Sequence, residues 1–160
     1  MGIGCKGGYQ DKAFDHLKTV GQALESEYPY VSGDGLDRTC DSGLEALGKV
    51  NVLTNGMVTP NSVAQLKAAI NQGAVTNTIE GDKMVFAAYG SGILDDPSCG
   101  YEMNHAVTSV GYGNENGKDY YIVRNSWGAD WGDKGYIKIA AVDGPGICGI
   151  QMQSYFATTN

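Results

Sequence analysis

Apolar and polar positions alternate with two different periods along this chain. From Tyr9 to Val20 the spacing is helical. Tyr9, Ala13, Phe14 and Leu17 share one face, and Asp11, Lys12, Asp15 and Lys18 the other. The pattern predicts a helix that follows the turn at Gly7-Gly8 and closes at Gly21. His16 lies beside the polar face and reads as a solvated surface histidine. Glu27-Tyr28-Pro29-Tyr30 is extended, because the residue before a proline is pushed out of the helical region. Ser32 to Ser42 is rich in Gly and Asp and reads as loop, with Cys40 as its anchor. Leu44 to Leu53 has weak strand character.

A second helix is clearer. Thr59 or Asn61 caps it, Pro60 suits its first turn, Val63, Leu66 and Ile70 form its stripe, and Gly73 ends it. Ala74 to Glu80 follows as a strand, unusually polar at Thr76-Asn77-Thr78. If Asn77 faces the core it needs a partner, or it costs about 1–3 kcal/mol. Met84, Val85, Phe86 and Tyr89 suggest a helical turn before Gly92-Ile93-Leu94. Two strand-like runs then stand on either side of the loop Asn114-Glu115-Asn116-Gly117-Lys118 and read as a hairpin. His105 opens the first run, and Asn125 follows the second. Gly135 to Ile139 is a further alternating strand. Gly146 to Ile150 is a short apolar tail held by Cys148.

Composition narrows the function. The chain has 160 residues, 42% of them hydrophobic, enough for a core and for little more than one domain. A net charge of -7 gives no basic surface for phosphates, so nucleic acid is not an expected partner. No apolar run is long enough to span a bilayer, so no membrane is expected either. The start, Met1 to Gly8, has no basic region followed by an apolar core, and it reads as the interior of a longer fold. Cys5, Cys40, Cys99 and Cys148 include no C-x-x-C pair. That argues against a zinc ribbon, and the even count fits disulfides in an oxidising compartment, in any of three pairings. Gly111-x-Gly113 fails the spacing of a dinucleotide fingerprint and reads as a hairpin end. Asp95-Asp96 before Pro97 reads as a turn rather than a metal pair. No metal and no cofactor are called for.

His105 and Asn125 carry the candidate chemistry. An imidazole oriented by a fixed acceptor is two-thirds of a nucleophilic triad. Gly4-Cys5-Lys6-Gly7-Gly8-Tyr9, Glu27-Tyr28-Pro29-Tyr30, Asn104-His105-Ala106-Val107 and Asn125-Ser126-Trp127-Gly128 stand in one order. Trp131-Gly132, Gly135-Tyr136 and Cys148-Gly149-Ile150 follow them. In these motifs the chain resembles the papain-like cysteine peptidases, the family of the cysteine cathepsins, over essentially its whole length. The resemblance implies an α+β, two-lobed fold, here incomplete. Residues 1–49 would be mainly a remnant of the helical lobe, and residues 50–160 mainly the antiparallel, β-barrel-like lobe.

The resemblance also implies roles. His105 would be general base and acid, and Asn125 would orient its ring. Trp127 would lie over their contact, with Trp131 in support. Gly7, Gly8, Tyr9, Thr78, Asn104 and Ala106 match substrate-binding positions, for a peptide or protein substrate. Cys99 and Cys148 match a bonded pair. Cys5 and Cys40 match cysteines whose partners lie elsewhere, so here they would be free, mispaired or joined to another chain. Location would be lysosomal, vacuolar or extracellular.

In this family the histidine follows the nucleophile by about 130 residues or more, and the nucleophile stands in C-G-[SA]-C-[WY]. His105 is too close to Met1 for that spacing, and none of the four cysteines has that setting. The expectation is therefore a C-terminal portion that lacks nucleophile and oxyanion donor, is inactive alone, and exposes an apolar face. An N-terminal chain of the same fold could complete the cleft. The rival reading is a non-catalytic relative acting as a structural or peptide-binding protein. A fragment with no function of its own is the third.

Overall fold

The computed structural model describes residues 6–160. Cys5 and the Gly4-Cys5 start of the first motif lie outside them. The chain divides into a smaller unit, Met1–Gly56 with Ala157–Asn160, and a larger one, Met57–Phe156.

In the smaller unit, helix α1 spans Gln10–Val20, and the Gly21 N–H closes it on the Leu17 carbonyl. None of its residues is fully buried. Of the face expected to lie inward, Tyr9 is 66% exposed, Ala13 is exposed, and only Phe14 and Leu17 are half-covered. His16 is on the surface, 2.6 Å from the Glu45 carboxylate. Leu44 to Leu53 is not a strand throughout. Asp41 accepts from the Gly43 and Leu44 N–H groups and starts a short helix α2, Ser42–Glu45. Strand β1 begins only at Val52 and spans Val52–Met57. Thr54 and Thr158 join hydroxyls at 2.7 Å, where β1 meets the chain end. Cys40 is an exposed free thiol whose sulfur accepts from the Tyr28 hydroxyl at 3.7 Å, and that hydroxyl accepts in turn from the Asp41 N–H at 2.8 Å.

The larger unit holds helix α3 (Val63–Ile70), strand β2 (Val75–Ile79), helix α4 (Met84–Ala87) and strands β3 (Ile93–Leu94), β4 (His105–Glu115), β5 (Lys118–Arg124) and β6 (Tyr136–Ala140). Strand β7, Gln153–Thr159, ends the chain and was not evident in the sequence pattern. The strand order is β7-β2-β4-β5-β6-β3. Neighbours are antiparallel except β3 with β6. Leu66, Ile70, Val75, Ile79, Phe86, Val107, Tyr121, Val123, Ile137, Ile139 and Ile150 make the core. The cap of α3 is Ser62, whose Oγ accepts from the Gln65 N–H. Thr59 and Asn61 do not cap it. Asn61 has φ 58 and spends its N–H on the Gln151 carbonyl, so the chain is still turning there.

The hairpin turns more tightly than its sequence suggested. Glu115 still pairs with Lys118, so only Asn116 and Gly117 lie between the strands. Their φ values of 54 and 82 suit the left-handed turn that matches strand twist. Gly111 and Gly113 lie within β4, beside a register shift after Ser109, rather than at its end. Asp96 caps the Pro97–Cys99 turn, and Asp95 pairs with Lys118. Among the described residues no cluster could hold a metal ion, and no helix is long and apolar enough to cross a membrane.

Asn77 is completely buried, but its carboxamide is fully used. Nδ2 donates to Ser154 Oγ (2.8 Å) and the Ile150 carbonyl (3.2 Å), and Oδ1 accepts from Ser109 Oγ (2.7 Å) and N–H (3.2 Å). The polar strand therefore cross-links β4, β2 and β7 and escapes the penalty of an orphaned amide. Cys99 and Cys148 are both fully buried and form a disulfide.

Candidate active site

Strand pairing creates the site. Thr108 of β4 lies opposite Arg124 of β5, and Ile79 of β2 lies opposite His105. His105 therefore starts β4 close to where β5 runs out into Asn125. His105 Nε2 is 2.8 Å from Asn125 Oδ1. Since an amide oxygen only accepts, Nε2 is the N–H donor. Nδ1 has no hydrogen-bond partner among the described residues. Asn125 is 7% exposed and firmly held. Its N–H donates to the Gly135 carbonyl (2.9 Å), and its Oδ1 also accepts from the Ser126 N–H (2.8 Å). Its Nδ2 is buried and has no partner among the described residues.

Aromatic rings surround the imidazole. Trp127 lies against His105, centroids 4.9 Å apart and planes inclined by 31°. The indole is nevertheless 44% exposed, so water is excluded from one side only. Trp131 meets Trp127 edge-on at 5.5 Å and donates its indole N–H to the Ala87 carbonyl at 2.9 Å. Phe86 joins the group from α4, completely buried and edge-on to His105 at 5.9 Å and to Trp127 at 5.5 Å. Sequence reasoning placed Phe86 on a helical turn but not here. Its signal was faint, an aromatic residue in an apolar quartet about twenty residues before His105.

Gly81 was also missed. A Cβ there would stand 2.7 Å from the His105 Cβ and 2.8 Å from its Cδ2. Only glycine lets the chain pass this close to the imidazole. Its N–H donates to Asn104 Oδ1 at 2.8 Å.

The expected substrate positions divide between the units. Thr78 is opposite Ala106 in the β2–β4 pairing, and Asn104 precedes His105 with its N–H on the Ile79 carbonyl. Ala106 and Asn104 are exposed. A depression of about 250 Å³ runs past Ala106, Thr108, Arg124, Asn125 and Ser126. Gly7, Gly8 and Tyr9 belong to the smaller unit, all exposed, with Gly7 at φ 108. Within the larger unit the cysteines are Cys99 and Cys148, which are bonded to each other and leave no free thiol there. The arrangement is thus a ring with one nitrogen fixed on an amide and the other open. Such a ring can exchange a proton with a nucleophile brought to Nδ1.

Comparison with known proteins identifies the family and the fold. The family profile described as papain family cysteine protease matches residues 1–158. Cysteine proteinase RD21A of Arabidopsis thaliana is 39% identical over 160 residues, covering 98% of this chain and 34% of that protein. Cysteine proteinase 2 of Entamoeba histolytica is 39% identical over 158 residues, covering 97% and 48%. The bromelain protease of Ananas comosus, solved with the E64 inhibitor, superposes with a TM-score of 0.88 at 36% identity. That match covers 98% of this chain and 72% of the other. The ragweed allergen Amb a 11 in its proform gives 0.89 at 35%, covering 99% and 48%. The chain thus spans a third to a half of the curated relatives cited.

Proposed function

The chain belongs to the papain family of cysteine proteases, and from that premise we propose that it carries the base-bearing part of a cysteine-type peptidase site. The observation that supports this best is the 2.8 Å contact of His105 Nε2 with Asn125 Oδ1, with Nδ1 left open. A thiol gives its proton to Nδ1 and attacks the peptide carbonyl carbon as thiolate. As the tetrahedral adduct collapses, His105 returns that proton to the departing amine nitrogen. The thioester then takes up water, whose proton passes to His105 and on to the released thiol. Asn125 keeps the ring turned for both transfers. Because thiolate and imidazolium already balance each other, a neutral amide suffices as orienter.

Trp127 and Trp131 shelter the ring. Gly7, Gly8, Tyr9, Thr78, Asn104 and Ala106 contact an extended peptide substrate, the glycines through their backbone. The thiol and the oxyanion donor come from a segment outside these 160 residues, so this chain alone is inactive. Residues 1–49 are then mainly a remnant of the helical lobe, and residues 50–160 mainly the β-barrel-like lobe. An N-terminal chain of the same fold is the partner that completes the cleft. A disulfide between Cys99 and Cys148 suits a vacuolar, lysosomal or extracellular location. The rival reading, a non-catalytic relative, draws on the missing nucleophile segment and on the polar strand Thr76-Asn77-Thr78. The Asn77 amide is fully hydrogen-bonded, so the strand no longer favours that reading and only the missing segment does.

The test is a chimera in which the nucleophile-bearing portion of a papain-family relative is joined ahead of residue 1. Asn125→Ala should lower its kcat on a fluorogenic dipeptide about 10- to 100-fold, the worth of one hydrogen bond to a charged ring. KM should hardly move. An unchanged kcat would remove Asn125 from the mechanism.

A further inference from the structure

We propose that Glu80 is a positioning residue for His105, its buried carboxylate holding the loop that delivers the imidazole to Asn125. The inference rests on the reading of His105 as the base. Glu80 is 1% exposed, yet it has no part in the chemistry described above. Burying a carboxylate is costly unless donors surround it. Here Oε2 accepts from the Glu102 N–H at 2.6 Å, while Oε1 has no hydrogen bond among the described residues and is met by the Lys83 ammonium in an ion pair at 3.0 Å. The amide donates and the ammonium pairs by charge, and an ionised carboxylate is the side chain that answers both. Its acidity is raised chiefly by the Glu102 N–H and further by Lys83, so it stays ionised. Asp82 and Glu102 are the acidic groups near Lys83.

The loop is shaped around this carboxylate. Gly100 has φ 75, and a Cβ there would fall 2.2 Å from Glu80 Oε2. Gly100 to Asn104 has no helix or strand of its own and runs directly into His105. Its near end is held by the residues on either side of Glu80. The Ile79 carbonyl accepts from the Asn104 N–H at 3.0 Å, and the Gly81 N–H reaches Asn104 Oδ1 at 2.8 Å. The middle is held by Glu80 itself at Glu102. The Glu80 backbone is fixed in turn, its N–H donating to the Cys148 carbonyl at 3.0 Å. Three consecutive residues, Ile79 to Gly81, thus set where β4 begins.

Proton NMR of the 160-residue chain tests this. Trp127 stacks on His105, so the His105 Cδ2–H and Cε1–H signals carry a ring-current shift, and Trp127→Ala gives the released value. Glu80→Ala should move both signals most of the way to that value, while the core amides of Val123 and Ile137 keep their exchange protection. Glu80→Gln preserves size and one acceptor but turns an NH2 toward Lys83, and should fall between. If Glu80→Ala does not fold, Glu80→Gln decides. His105 signals unchanged in a folded variant would overturn the proposal. So would signals that move only together with loss of core protection. If His105 were instead not the base, these ring shifts would still respond and only turnover in the chimera would not.

Discussion

His105→Ala, in a chimera supplying the nucleophile ahead of residue 1, should reduce kcat/KM on a fluorogenic dipeptide by about 10⁴-fold or more. Alanine removes the acceptor for the thiol proton and the donor for the leaving amine together, so both halves of the cycle lose their proton carrier. What survives is binding and whatever oxyanion stabilisation the added segment brings. The loss should lie almost wholly in kcat, because Ala106 and Thr78, and not the ring, are the proposed substrate contacts beside it. It should exceed the Asn125→Ala loss by about 100-fold or more, since without Asn125 the ring is still present to carry the proton. Steady-state kinetics of the two variants and their double mutant provide the comparison. Without the ring there is nothing to orient, so the double mutant should be no worse than His105→Ala.

Breaking the Cys99–Cys148 bond should have the largest effect on stability. The bond closes a loop of 49 residues. On the chain-entropy account this is worth about 4 kcal/mol. Both sulfurs are fully buried, so alanines would add the loss of packing. The bond also holds the Ile147–Gly149 turn, whose Cys148 carbonyl supports the Glu80 N–H. A Cys99→Ala, Cys148→Ala chain should therefore melt in urea at a much lower midpoint, with a somewhat steeper slope because the unlinked unfolded chain exposes more surface. A loss of under about 1 kcal/mol would show that the loop is already restrained when unfolded.

Much of the larger unit was legible because its local patterns and its packing agree. The stripe Val63, Leu66, Ile70 and the alternation of β2, β4, β5 and β6 are periodicities that burial rewards. Strand β7 escaped notice because Gln153–Thr159 is weakly alternating and gains its pairing from β2, far earlier in the chain. α1 shows the converse. Its stripe is amphipathic, yet Tyr9 stays exposed, because amphipathicity names the face and not the surface that covers it. The hairpin loop was drawn too long because Glu115 and Lys118 are polar, although both still pair as strand.

The site was legible in part for a similar reason. His105, Asn125 and Trp127 carry chemistry in their residue types and sit in recognisable runs. Gly81, Glu80 and Phe86 do not. Gly81 and Phe86 meet the imidazole, and Glu80 is placed to act on it through the loop, only because of the register that sets Ile79 opposite His105 and because of α4, both products of the folded chain. Gly81 acts by lacking a side chain, which no residue-type argument detects.

The central claim is that His105 and Asn125 serve a thiol supplied from outside these residues. The purified 160-residue chain, assayed with a fluorogenic dipeptide at mildly acid pH with reductant, tests it most directly. The predicted result is no turnover above buffer, and no difference between the chain and its His105→Ala variant. Turnover that disappears with His105→Ala would contradict it, by showing that the chain holds a nucleophile of its own.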